Sequence, residues 1–104
     1  MSEKRKHSRS LHRAAIKFQV GDGPRQDGVC HDVGIGGMFI ETLAPAAFGA
    51  QVTVYMRLPE LKEEAVIKGV VRWTEPDGMG VQFGTMGARE TYALTKLIAS
   101  LPKT

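Results

Sequence analysis

A chain of 104 residues, 42% hydrophobic and 24% charged, has apolar material for one modest core, which excludes both wholesale disorder and a multidomain architecture. The net charge is only +3, but Lys4, Arg5, Lys6, Arg9 and Arg13 crowd the N-terminal stretch, with His7 and His12 among them and only Glu3 opposing. Such asymmetry points to an anionic partner for that stretch and argues against a broad nucleic-acid groove, which needs basic charge spread over the whole domain.

Residues 1–12 show no apolar period and are expected to form a flexible basic arm; residues 13–104 are expected to form the folded domain. A half-buried strand is predicted over Ala14–Val20, where Ile16, Phe18 and Val20 alternate with Lys17 and Gln19. Gly21-Asp22-Gly23-Pro24 is a turn cluster, and a second strand is predicted from Gln26 to His31. In Asp32-Val33-Gly34-Ile35-Gly36-Gly37 the glycines suit a loop whose backbone turns sharply or approaches something closely. Met38–Thr42 resumes as a short strand, and Pro45 and Gly49 mark a loop. Gln51–Leu58 alternates again. After the charged connection Pro59–Glu64, the β-branched run Ala65–Thr74 is apolar on both faces in places and is predicted to be a central strand. Pro76-Asp77-Gly78 is a turn, and Met79–Gly84 closes the sheet. In the last segment Tyr92, Leu94, Leu97, Ile98 and Leu101 recur at helical spacing, predicting a helix over about 87–101 that covers one end of the sheet and stops at Pro102. The expected fold is all-β: a six-stranded antiparallel barrel with a C-terminal α-helix.

Catalytic groups are scarce. Cys30 and His31 are adjacent on a strand and therefore face opposite ways, so they form no dyad. His7, His12 and His31 have no spacing that suits a metal. The glycine loop lacks the Lys-Ser/Thr end of a phosphate-binding loop, and a strand follows it where a dinucleotide fingerprint needs a helix. No enzyme, metal or cofactor is expected. The single cysteine excludes an internal disulfide. No apolar run is long enough for a bilayer, the charged N-terminus lacks a signal-peptide core, and Met1-Ser2 lacks the glycine of a myristoylation site. A cytoplasmic protein without membrane insertion is expected.

Two features remain. Arg5 and Arg9 lie four residues apart, and their planar forks suit phosphate oxygens and stack on rings. Asp32, beside the glycine loop, can accept from the N1–H and N2–H edge of a guanine. Each alone is more readily a solvated tail or a plain turn.

Together they form a pattern. Glu3-Lys4-Arg5-Lys6-His7-Ser8-Arg9, then His31-Asp32-Val33-Gly34-Ile35-Gly36-Gly37-Met38-Phe39-Ile40-Glu41-Thr42, then Val70-Val71-Arg72-Trp73 and Gly78-Met79-Gly80-Val81-Gln82-Phe83, resemble in order and spacing the PilZ domain family. The resemblance implies a six-stranded barrel that binds the bacterial second messenger cyclic di-GMP. Arg5 and Arg9 match the arm's Arg-x-x-x-Arg, and Asp32 and Gly37 match the ends of the Asp-x-Ser-x-x-Gly loop. Gly34 stands where the family carries serine. Lys6, Arg13 and Trp73 are further candidate ligand contacts. The implied role is that of a receiver whose arm closes on ligand and whose altered surface binds a downstream protein. A barrel that has lost the ligand and acts through protein contacts is the alternative, and a small nucleic-acid-binding barrel a more distant one.

Overall fold

The computed structural model describes residues 13–100; the predicted arm, with Arg5, Lys6 and Arg9, lies outside the described residues. Six strands are present: β1 (Ala14–Val20), β2 (Arg25–His31), β3 (Gly37–Glu41), β4 (Gln51–Met56), β5 (Ala65–Glu75) and β6 (Gly78–Phe83), followed by helix α1 (Ala88–Ser100). They pair antiparallel in the closed order β1-β2-β3-β6-β5-β4, with β4 returning to β1. Closure leaves none of these strands with an unpaired edge.

Alternation along each strand decides which side chains fill the barrel. Ile16 and Phe18 of β1, Cys30 of β2, Met38 and Ile40 of β3, Val52, Val54 and Met56 of β4, Ala65, Ile67 and Val71 of β5, and Met79 and Val81 of β6 form one buried cluster. Leu58, just past β4, joins it from a turn closed by the Leu61 amide on the Leu58 carbonyl at 2.9 Å.

Two expectations are corrected. The long fifth strand is central by pairing but not by burial: only one face is covered, and Val66 is 49% exposed on the other. A barrel has one interior, so β-branched residues of the opposite phase meet solvent. In α1, Ala93, Leu94 and Leu97 enter the core, whereas Tyr92 is 58% exposed and lies beside Lys96. Two residues of helix turn the side chain roughly 200°, so Tyr92 cannot share the stripe of Leu94. Leu101 lies outside the described residues.

Candidate functional site

The end of β2 positions the site. Asp32 has φ 57°, a left-handed conformation that a short polar side chain tolerates better than most. This turns the chain out of β2 into the 32–36 loop. The Gly34 amide donates to the Gly37 carbonyl at 2.8 Å, and the Phe83 amide donates to the Gly36 carbonyl at 2.8 Å, tying the loop to β6. Val33 is fully buried and anchors the loop from within, whereas Ile35 is exposed. Gly37 packs so closely on the Val81 carbonyl that a side chain there would overlap it. Its role is to let β3 meet β6, and it presents no side chain to a ligand. A Cβ at Gly34 would meet nothing within 4 Å.

Arg13, just ahead of β1, arrives beside this loop because Ala14 pairs with Cys30. Its Nη2 donates to Glu41 Oε1 at 2.9 Å. His31 stands between two carboxylates: Nδ1 is 3.8 Å from Asp32 Oδ2, and Nε2 is 3.8 Å from Glu41 Oε1. An open pocket of about 260 Å³ is lined by Arg13, His31, Asp32, Phe39, Glu41, Glu75 and Asp77.

An aromatic row adjoins the pocket. The His31 and Phe39 rings are 4.9 Å apart, and Phe39 stacks on Trp73 at 6.4 Å with 28° between their planes. These residues lie on the outside of the barrel, and Phe39, though buried, is not part of the interior cluster. Two devices allow this. Gly78 and Gly80 of β6 leave a lane without side chains, which the Phe39 and Trp73 rings occupy. In addition, β5 carries a bulge between Val71, which pairs with Val81, and Trp73, which pairs with Gly80. The extra residue, Arg72, reverses the phase, so Trp73 points outward where unbroken alternation would send it inward with Val71. Arg72 Nε donates to Gln82 Oε1 at 2.6 Å beside the bulge.

Thus Arg13 and Asp32 line one outer pocket, and Trp73 adjoins it through Phe39; Gly34 and Gly37 lie in the neighbouring loop and at the start of β3 and do not line the pocket. Sequence reasoning does not single out His31, Phe39, Glu41, Glu75 and Asp77 for this face. Strand alternation carries part of that signal, since His31, Phe39 and Glu41 share the outward phase. The every-second-residue glycines of Gly78-Met79-Gly80 are another sign. Cys30 is fully buried on the opposite face from His31; burial pushes its thiol up to about 11, partly offset by a backbone hydrogen bond with Ala14.

Among the described residues, no group of His, Cys, Asp or Glu is arranged to hold a metal ion, and no helix is long and apolar enough to cross a membrane.

Comparison with known proteins identifies the fold and the family. No curated protein matches the sequence. The crystal structure of the PilZ domain of CeSA from a cellulose-synthesizing bacterium superposes with a TM-score of 0.71, covering 90% of this chain and 96% of that one at 15% identity; at that identity the likeness is one of fold. The family model for the PilZ domain matches residues 3–100. Closed barrel, terminal helix and family match agree, and the chain belongs to the PilZ domain family.

Proposed function

We propose that this chain is a receptor for cyclic di-GMP that binds the ligand on the outer face around Asp32 and relays its presence to a partner protein in the cytoplasm, without catalysis. The observation that carries the reading is the convergence of Arg13, His31 and Asp32 on one open pocket beside the Phe39–Trp73 stack. A cyclic dinucleotide has two purine faces, two guanine donor edges and two phosphates. The exposed part of Trp73 suits a purine face. The pocket carboxylates suit guanine N1–H and N2–H groups, which adenine cannot present in the same way.

The phosphates need other partners. Among the described pocket residues Arg13 is the one arginine or lysine, facing the carboxylates of Asp32, Glu41, Glu75 and Asp77. Cations beyond Arg13 suit two phosphates, and the basic stretch immediately preceding Arg13 contains Arg5, Lys6 and Arg9. Arg5 and Arg9 clamp the phosphates together with Arg13 in this reading, and Lys6 adds charge. No cofactor beyond the ligand is required.

Isothermal titration of the full chain with cyclic di-GMP tests the reading. Saturable binding is expected, strongly weakened in Arg5→Ala and in Arg9→Ala. No heat at high ligand concentration, from protein shown to be folded by circular dichroism, overturns it. That result would favour the ligand-free interaction module, the reading that Gly34 at the serine position supports.

A further inference from the structure

We infer that Glu41 is a built-in competitor for the ligand's phosphate: it holds Arg13 across the pocket and must release that guanidinium before ligand can take it. The inference rests on the receptor reading above and adds to it a residue on the barrel's outer face that sets affinity.

Glu41 occupies the outward phase of β3, and both of its contacts go through one oxygen. Oε1 accepts from Arg13 Nη2 at 2.9 Å and lies 3.8 Å from His31 Nε2. The Arg13 fork carries five donors, and this contact uses one of its terminal nitrogens. The same fork matches a phosphate in a two-bond geometry that is stronger than a single contact. A phosphate seated in this pocket and the Glu41 carboxylate therefore compete for one guanidinium, and they repel each other.

The exchange is easy because the pair is open to water. The side chains of Arg13 and Glu41 are 63% and 41% exposed, and exposed pairs are weak. A buried pair would lock the site, whereas this one lowers affinity only by the fraction of molecules in which Arg13 is engaged.

The test is a double-mutant cycle read by titration with cyclic di-GMP: the full chain, Glu41→Gln, Arg13→Gln and both together. Glutamine keeps the shape of Glu41 and removes its charge. Glu41→Gln is expected to tighten binding about 1.5- to 5-fold, the range set by releasing an exposed pair. In the Arg13→Gln background the same change should tighten binding clearly less, because no guanidinium is left to release. Unchanged or weaker affinity in Glu41→Gln, with the parent chain binding, overturns the inference while leaving the receptor reading intact. Equal tightening with and without Arg13 also overturns it, since Glu41 would then act by general repulsion and not by holding Arg13. No binding by any of the four folded proteins overturns the receptor reading and this inference with it.

Discussion

The indole of Trp73 lies against Gly80, its cross-strand partner on β6, so closely that a Cβ at position 80 would overlap the ring. The aromatic row on the outside of the barrel therefore depends on a residue with no side chain. Gly80→Ala should displace the indole. A destabilisation of about 1–3 kcal/mol is expected from the overpacking. Trp73 is the single tryptophan, so its fluorescence reports the site alone. A red-shifted emission in folded Gly80→Ala protein is the expected sign that the ring has moved into water, and unchanged emission would show that the lane is not what seats it.

Gly34 occupies open space: a Cβ at this position would have nothing within 4 Å, and no positive φ strains a side chain there. Gly34→Ser should therefore fold as well as the parent chain. It should also tighten cyclic di-GMP binding. A net hydrogen bond of about 0.5–1.5 kcal/mol and a stiffer loop contributing about 0.4–1 kcal/mol together give roughly 5- to 70-fold. Equal or weaker affinity by titration would show that the loop does not contact ligand through this position.

Cys30 makes stability depend on alkaline pH. Burial pushes its folded-state thiol up to about 11 from the ordinary value of 9.0. In the unfolded chain the thiol ionises first, so unfolding becomes more favourable as pH rises between those values. Stability should fall across that window, by roughly 1–3 kcal/mol in all. Denaturant titrations at several pH values, compared with Cys30→Ala, check this: the variant should be less stable at neutral pH yet lose less over the same interval. Cys30 should also resist alkylation in native protein at a pH of about 8 and react once the chain is unfolded.

Neighbouring residues of β5 should respond in opposite ways. Ile67 is fully buried, and Ile67→Ala should destabilise by about 2–5 kcal/mol. Val66 is 49% exposed, and Val66→Thr should change stability by no more than about 0.5 kcal/mol. Chemical denaturation measures both. A large loss at Val66 would restore the expectation of a strand buried on both faces.

Much of the fold is legible in the sequence because a barrel strand has a simple signature. Ile16, Phe18 and Val20 announce β1, and Val52, Val54 and Met56 announce β4, because period-two alternation leaves one register that hides the apolar set. The strand ends differ by a residue or two, since pairing and not composition ends a ladder. Asp32 and Gly34 are recognisable as a loop from glycine spacing and from the resemblance to PilZ domains. Tyr92 misleads because it is apolar enough to extend the helical stripe, although its angle around the helix axis turns it away from Leu94.

What the sequence determined by itself is local: which residues alternate, where glycine and proline break the run, and that basic charge gathers ahead of β1. Only the tertiary structure decided which of those pieces meet. The bulge at Arg72 reverses the phase of Trp73, and alternation alone points it the wrong way. Arg13 reaches Glu41 across 28 residues of sequence, a contact that exists because β1, β2 and β3 are adjacent in the closed sheet. Cross-strand neighbours are set by pairing between distant segments, and the outer face around Asp32 is made of such neighbours.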